Sequence, residues 1–514
     1  MPGGYRRRRQ RAVAAGGIAA LLVLGACTVG PDYVKPDAPV PAAYKEAWKP
    51  GPTEKGWGPA RPADAIDRGA WWSIYRDPVL DGLERQIDIS NQNLKASEAA
   101  YREAEATVAA ARAQFFPTSR LTGSATRTRS SGNSAAVAGF NGGISNQFLA
   151  ETTVSWVPDL WGSVRRLVEG NVSTAQASAA TLANVRLSAQ GTLATAYMEL
   201  RVADELAHLL DASVKAFGQA LKITQSQFRN GTTDQSAVQQ AQAQLDATRA
   251  QLIAVGVTRG QLEHSIAVLI GKPPAELTIA PTRTMLDVPL VPSEMPSALL
   301  QRRPDIAAAE RDVQAANAQI GVDVAAFYPT VTLSADTGIE AEMLRKLFTE
   351  TSRIWSLGSS AAETVFDGGA RNAQLEHDKA AYDETVATYR QTVLSAFQQV
   401  EDELVAERVL AEQAVAQDAA VKAARQAEAT INNQYLAGTQ AYTAVIVAEN
   451  TALADAETAV NLRQSRLVAS VALIEALGGG WDGSQVPSRD QIESDVPLNF
   501  NPLPPVVPPA DPTK

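Results

Sequence analysis

Paired acids are the residues in this chain whose types come nearest to catalytic chemistry. Asp204 stands beside Glu205, and Asp402 stands beside Glu403. Two carboxyl groups held close together can serve as the acid and the base or nucleophile of a glycosidase. Both pairs fall within sequences of helical heptad spacing, where neighbouring acids are typical of an exposed helix face. The sequence therefore predicts exposed faces here and no catalytic residues.

Other catalytic and metal-binding patterns are missing from the sequence. His208, His264 and His377 are far apart, and none has a second histidine four residues on or a cysteine nearby, as a zinc site would need. The chain has no glycine-rich phosphate loop, nucleophile elbow or HExxH motif. We therefore predict no enzyme, no metal site and no bound cofactor.

Cys27 is the one cysteine of the chain, so a disulfide within the chain is impossible. Arginines at positions 6 to 9 and 11 precede an apolar run from Ala12 to Leu24. A bilayer-spanning helix needs about 20 apolar residues, so this run is too short and is typical of a secretory signal peptide.

The sequence Leu24-Gly25-Ala26-Cys27 resembles the lipobox of bacterial lipoproteins. The resemblance implies that residues 1–26 are removed and that Cys27 receives a diacylglycerol and an N-acyl chain such as palmitate. Thr28 follows in place of aspartate, which implies sorting to the outer membrane. Removal of residues 1–26 takes away arginines and no acids, so the mature chain is more acidic than the full chain's net charge of −10. Such a chain is a poor binder of nucleic acid.

Two proline-free zones, residues 159–272 and 330–486, can hold long helices. In the first, apolar residues recur every seven positions, as in a helix packed against neighbours: Leu193, Leu200, Ala207, Val214, Leu221 and Phe228. The spacing predicts helices over 160–228 and 369–435, each ~100 Å long at 1.5 Å per residue. Gly231 and Gly438 predict where they end, and a return helix of roughly 40 residues follows each of them.

Alternating apolar and polar residues before each long helix predict two strands of about ten residues in each copy, the length of a tilted transmembrane strand. An ordinary half-buried sheet of a soluble protein remains the alternative. In lipid a sheet must close, and four strands are too few, because the smallest barrels have about eight. Two chains would give a barrel filled by side chains, whereas three would leave a lumen, so the sequence favours a homotrimer.

The chain therefore contains the same plan twice. The predicted divisions are a signal peptide (1–26), an extended strap (27–70), a first copy (71–272), a linker (273–295), a second copy (296–480) and a C-terminal tail (481–514), of which residues 487–514 are predicted to be largely disordered. Each copy comprises a helix, two strands and a long helical hairpin.

Several motifs of the second copy resemble those of the outer membrane factors, the TolC-like exit ducts of tripartite efflux pumps. They are Arg302-Arg303-Pro304-Asp305-Ile306, Phe327-Tyr328-Pro329-Thr330 and Phe366-Asp367-Gly368-Gly369. The start Cys27-Thr28-Val29-Gly30-Pro31-Asp32-Tyr33 resembles the lipoprotein branch that partners resistance-nodulation-division (RND) pumps.

This resemblance implies an α+β membrane protein, a trimer in which a twelve-stranded transmembrane β-barrel continues into a periplasmic α-helical barrel. It implies export of small molecules received from an inner-membrane RND pump through a periplasmic adaptor, at the outer membrane and in contact with its lipid. A type I protein-secretion duct is the alternative with the same fold. A periplasmic adaptor-like coiled-coil lipoprotein is a more distant one, since an adaptor has one hairpin. The exported substrate cannot be read from the sequence.

The family closes its periplasmic end just after the Gly-Thr turn. The apolar and acidic ring positions fall on Thr443 and Val447, and the arginine latch falls on Gln440, so the usual ionic lock is not matched. We predict a steric, apolar constriction involving Tyr442, Thr443 and Val447, with Glu449 as a weak cation-attracting ring. Packing of the hairpin alone is the alternative. Trp156 and Trp161 are predicted to belong to an aromatic girdle at the membrane interface or to ordinary packing.

Overall fold

The computed structural model describes residues 28–46, 70–129, 144–283, 286–289 and 301–500. The first copy comprises helices α1 (Pro78–Ser90) and α2 (Gln92–Ala113), strands β1 (Thr118–Arg129) and β2 (Ile144–Trp156), and helices α3 (Ser163–Arg229) and α4 (Gln235–Leu269). The second comprises α5 (Pro304–Ala325), β3 (Thr330–Ala341), β4 (Arg353–Ala362), α6 (Ala370–Leu436) and α7 (Tyr442–Ala476). A short helix, α8 (Arg489–Asp495), follows.

The two copies match in helix length. α2 and α5 each have 22 residues, α3 and α6 each have 67, and α4 and α7 each have 35. At 1.5 Å per residue the two longest helices extend ~100 Å, as the heptad spacing predicts. The return helices are somewhat shorter than the sequence pattern indicates. Among the helices within the described ranges, none is at once long and apolar enough to cross a membrane.

The four strands form one antiparallel sheet in the order β1-β2-β3-β4. The two copies meet at the pairing of β2 with β3, where Glu151 is opposite Gly338. A Cβ atom on Gly338 would lie 2.7 Å from the Cβ atom of Glu151, so only glycine allows this close approach of the copies. Among the described strands, β1 and β4 each keep one unpaired edge.

The helices pack side by side in an order that parallels the sheet. α3 contacts α2, α4, α5 and α7, while α6 contacts α5 and α7. This arrangement leaves α2 and α4 at one side of the protomer and α6 at the other. The largest core cluster lies where the copies meet, and its fully buried side chains include Trp71, Tyr197 and Tyr389.

Residues 28–46 form an extended strap that runs along the helices of both copies. The Arg166 guanidinium of α3, itself buried, donates hydrogen bonds to the carbonyls of Val29 and Gly30 and to Asp32. Gly30 has a φ of +92°, and a Cβ atom there would lie 2.5 Å from the Cα atom of Gly321. Further along, the backbone N–H groups of Lys45 and Glu46 donate to the Glu401 carboxylate of α6. The strap is therefore fixed at both ends.

The predicted disorder of residues 487–514 is wrong for α8. Ser488 and Gln491 form a reciprocal capping box at its first turn, Ile492 is fully buried, and the Arg112 guanidinium of α2 donates to the Glu493 carbonyl at 2.8 Å. One buried isoleucine, a cap and this side-chain contact hold a seven-residue helix that has little stability alone. Residues 501–514 lie outside the described part of the chain.

Candidate functional site

Both long helices end in the same turn. Gly231 and Gly438 take left-handed backbone angles, with φ of +71° and +75°. The N–H group of Thr232 donates to the Gln227 carbonyl, and that of Thr439 to the Gln434 carbonyl, each at 2.9 Å. These are the bonds of a Schellman cap, which glycine favours because its left-handed conformation costs little. The Gly-Thr pair of each copy therefore reverses the chain at the tip of the hairpin, as the sequence predicts.

The two turns differ in how the return helix begins. In the first copy the Asp234 carboxylate accepts hydrogen bonds from the Ser236 hydroxyl at 2.6 Å and from the Ala237 N–H at 3.0 Å. Those bonds, first the one from Ser236, lower the pKa of Asp234. Asp234 is therefore a helix cap. Ala441 holds the equivalent place in the second copy and gives α7 no side-chain cap.

Two tyrosines join the second hairpin to α3 near the tip. The rings of Tyr435 and Tyr442 lie 5.3 Å apart between centroids, inclined by 51°. The Tyr435 hydroxyl donates to Gln227 of α3, and Tyr442 packs in one apolar cluster with side chains of α3. With Phe217, Leu221 and Val445, these rings form a small apolar cluster that we call the tip cluster. The sequence pattern does not indicate Gln227 as a partner.

The structure divides the four predicted constriction residues between two faces of α7. Tyr442 and Glu449 are seven residues apart and are buried within the protomer, 6% and 8% exposed. Thr443 and Val447 lie on the other face, where Val447 is 66% exposed. In this conformation the side chains of Tyr442 and Glu449 are turned towards the protomer's core, and the cation-attracting ring at Glu449 stays a prediction. The two residues lie together because of helical periodicity, since positions i and i+7 share a face.

Glu449 is an unusual member of the tip region because one of its carboxylate oxygens, Oε2, is buried and has no hydrogen-bond partner among the described residues. Burial, and after it the negative charge of Glu428 on α6, raises the pKa of Glu449 to about 7. The charged form of a carboxyl group is disfavoured where water is excluded and a like charge is near.

The sheet has one apolar and one polar face. Strand register places alternate residues together, and one face holds Leu121, Phe148, Val154, Trp156, Leu333, Ile339, Trp355 and Leu357. The opposite face holds small hydroxyl residues with Arg120, Glu151, Asp336 and Glu340. On it Gln147 donates to Glu340, and Ser356 to Asp336, each at 2.8 Å. Transmembrane β-strands have this pattern, with apolar residues facing the lipid and polar residues facing the lumen.

Comparison with known proteins decides the family. The sequence model of the outer membrane efflux protein family matches residues 84–272 and 295–479, one stretch in each copy. The chain belongs to the outer membrane efflux protein family. It is similar to the probable efflux pump outer membrane protein TtgC of Pseudomonas putida, with 29% identity over 92% of this chain and 97% of that protein. The pyoverdine export outer membrane protein OpmQ of Pseudomonas aeruginosa is also 29% identical, over 91% and 97%.

Solved structures agree with this membership. The outer-membrane channel OprN superposes with a TM-score of 0.79 at 29% identity, covering 88% of this chain and all of that one. The CmeC outer membrane channel of Campylobacter jejuni has the same fold, with a TM-score of 0.82 at 21% identity over 91% and 98%. This efflux protein is thus an outer membrane channel component that extends into the periplasm.

The tryptophans predicted as a girdle stand at the junction between sheet and helices of the efflux protein. The Trp156 indole, partly exposed at the end of β2, donates to the Phe115 carbonyl at 3.0 Å. Trp161 stacks on Tyr328 with centroids 4.9 Å apart and donates to the Pro329 carbonyl at 2.8 Å. The Trp161 indole thus ties the two copies together at the base of the sheet, while the Trp156 indole bonds within the first copy. Cys27 lies outside the described residues, one position before Thr28.

The acid pairs have structural surroundings. Asp204 is buried, not exposed as predicted. Its carboxylate forms ion pairs with Arg201 at 3.1 Å and with Arg259 of α4 at 2.7 Å. A buried carboxylate needs such partners. Glu205 faces Arg463 of α7. No group of three or more histidine, cysteine or acidic side chains within the described ranges is suited to hold a metal.

The buried carboxyl of Glu449 predicts that packing at the tip depends on pH. Its pKa rises from an ordinary 4.5 to about 7 on folding, so the folded state keeps the proton where the unfolded state has lost it. The stability that protonated Glu449 contributes is then highest below pH ~4.5 and is lost as the pH rises towards ~7. We expect hydrogen-exchange protection of residues 430–450, corrected for intrinsic rates, to be greater at pH 5.5 than at pH 8.

Replacing Glu449 by Gln should flatten this pH dependence, because the amide does not titrate. Glu412→Gln, an exposed acid of the same hairpin, is the matched control and should leave the dependence unchanged. A Glu449→Gln protein that keeps the full wild-type pH dependence would show that another group is responsible.

Proposed function

We propose that three copies of this chain form a closed duct, a twelve-stranded barrel on a helical tube. The observation that supports it best is that the sheet and the helical layer both have edges that a neighbouring copy could cover. β1 and β4 each have an unpaired edge, and backbone groups cannot remain unpaired in lipid. On the helical layer α4 exposes Ile253 and Val257, one turn apart, and α6 exposes Val415, at 76%, 61% and 73%. Both edges would be covered by a neighbouring copy turned about one axis.

In this assembly the duct is a passive exit route for small molecules. An inner-membrane RND pump would supply the cargo through a periplasmic adaptor. The polar sheet face would line the lumen with threonine and serine hydroxyls and a few charges, which offer no apolar pocket to retain an organic molecule. The names of the relatives support small cargo over protein secretion, since they describe pyoverdine export and toluene efflux. Those substrates belong to the relatives.

Two further features belong to the proposal. Cys27 would bear the diacylglycerol and N-acyl chains that anchor the strap in the outer membrane. Thr443 and Val447, which face away from the protomer's core, would form the narrow ring at the periplasmic mouth, and the tip cluster would hold them in place from behind.

The trimer can be tested by mass. The detergent-solubilised protein, with the detergent contribution subtracted, should have the protein mass of three mature chains by light scattering with refractive-index detection. A mass of two chains would contradict the proposal, because eight strands leave an interior filled by side chains.

The ring at Val447 can be tested by single-channel conductance in planar bilayers. Val447→Gly should raise the conductance, because it removes a side chain from the narrowest point. Val268→Gly is the matched control. Val268 lies near the far end of the return helix α4 and is 64% exposed, against 66% for Val447. The same change from valine to glycine lowers helix propensity at both positions, by less than about 1 kcal/mol. Equal conductance of the two variants would rule out the ring.

The efflux role can be tested by deletion in a strain lacking its other ducts of this family. We expect greater sensitivity to small toxic compounds and intracellular retention of a fluorescent efflux substrate, both restored by the wild-type chain. An unchanged sensitivity, with one or more proteins missing from the culture medium, would instead favour the secretion duct.

A further inference from the structure

A groove crosses the apolar face of the sheet close to the helices. It has a volume of about 570 Å³, and its lining includes Trp156, Val154, Leu333, Ala335, Leu357 and Ser359. Strand register explains its shape. One row across the sheet runs Trp156, Leu333, Ser359, and the next runs Val154, Ala335, Leu357. Small residues in one row stand beside large ones in the next, so a trench runs diagonally between them.

The groove lies at the end of the sheet that meets the helices. Trp156 is the last residue of β2, and Leu333 is the fourth of β3. Pro329, which accepts the Trp161 indole hydrogen bond, precedes β3 directly. At 3.3 Å per residue, Leu333 is only ~13 Å along the strand from Pro329.

The start of the strap is fixed at this same junction. The Val29 N–H group donates to the Trp161 carbonyl at 3.1 Å. Gly162 has a φ of +85°, and a Cβ atom on it would lie 2.7 Å from the Cγ2 atom of Thr28. Only glycine therefore lets Thr28 pack so closely on the segment that follows β2. The residue before Thr28 is Cys27.

We propose that an acyl chain of the lipid on Cys27 lies in this groove. The inference rests on the lipidation proposed above. The lining is mostly apolar, with Ser334, Ser359 and backbone atoms as its polar part, and an apolar surface suits a hydrocarbon chain. The attachment point is one residue from a strap position held at the groove's end of the sheet, so the chain need not cross the bilayer to reach it. Tethering keeps it at a high local concentration there.

A lipid chain in this position would connect two parts of the molecule. The strap is already bound to α3 by Arg166, and the groove belongs to β2, β3 and β4. The acyl chain would therefore hold the strap against the base of the sheet and set the side of the protomer on which the anchor enters the membrane.

Photocrosslinking in the intact cell tests the proposal. Cells producing the full-length protein are fed a fatty acid that contains a diazirine and an alkyne, irradiated, and the purified protein is digested and mapped by mass spectrometry. We expect the lipidated peptide that begins at Cys27 to be joined through its acyl chain to peptides containing Trp156, Leu333 or Leu357. Crosslinks from Cys27 that reach only free phospholipid, or strand surfaces outside the groove, would overturn the proposal.

Two matched variants sharpen the result. Ala335→Phe fills the groove and should reduce the Cys27-to-groove crosslink severalfold. Ala125→Phe adds the same ring to the same face of the sheet on β1, away from the groove, and should leave the crosslink unchanged. Only variants recovered as assembled oligomers in the outer membrane are compared. Equal crosslinking in both would place the acyl chain elsewhere.

The remaining outcomes are also decisive. Groove peptides that bear phospholipid as often as the Cys27 lipid would show that bulk membrane lipid occupies the groove. A protein with no label at Cys27 would overturn lipidation and this inference together, while the efflux role would still be judged by the deletion strain.

Discussion

Strands β1 and β4 each leave a row of backbone N–H and C=O groups without strand partners in the part of the chain that the structure describes. In lipid, where water is absent, every unpaired group costs free energy, so a sheet placed there would have to close on other copies. The helical layer meets the same condition, because α4 and α6 expose apolar side chains at the two sides of the protomer. The proposed trimer satisfies both layers by one rotation. The length of the long helices, the order of the strands and the two sheet faces are all consistent with this requirement.

Duplication explains how one chain supplies a wide arc of such a duct, and the departures from it show where the copies differ in role. Helix lengths and the Schellman turns are repeated, since each copy must cover the same distance. Asp234 caps one return helix, whereas Ala441 leaves the other without a side-chain cap. The second hairpin is instead held by Tyr435 and Tyr442 against α3. The tip of the second copy thus depends on contacts between hairpins, and the tip of the first depends more on its own cap.

Much of this fold can be predicted from the sequence, because its main elements obey simple periodicities. Heptads locate the long helices, glycines locate their ends, and alternation locates the strands. Family resemblance adds the efflux role, which the comparisons confirm. What periodicity does not reveal is which neighbour covers a given face. Helical spacing alone places Asp204 on an exposed face, because it does not show that Arg259 of another helix lies beside it. Helical spacing likewise does not show that Glu449 lies on the face of α7 that is buried in the protomer. The order of α8 likewise depends on α2, more than 300 residues earlier in the chain.

The contacts at the tip also determine whether salt or pH changes its packing. Hairpins closed by ion pairs would loosen as salt screens the charges. Here Tyr435 of the second hairpin donates to Gln227 of the first, and Tyr442 packs with Phe217 and Leu221 of α3, so these contacts are between uncharged groups. Salt has little effect on contacts between uncharged groups, because it acts by screening charges. The titratable carboxyl buried beside them is Glu449, whose charged form would have to stand near Glu428 with one oxygen unpaired. The tip should therefore respond to proton concentration more than to ionic strength, unlike a mouth closed by an arginine latch.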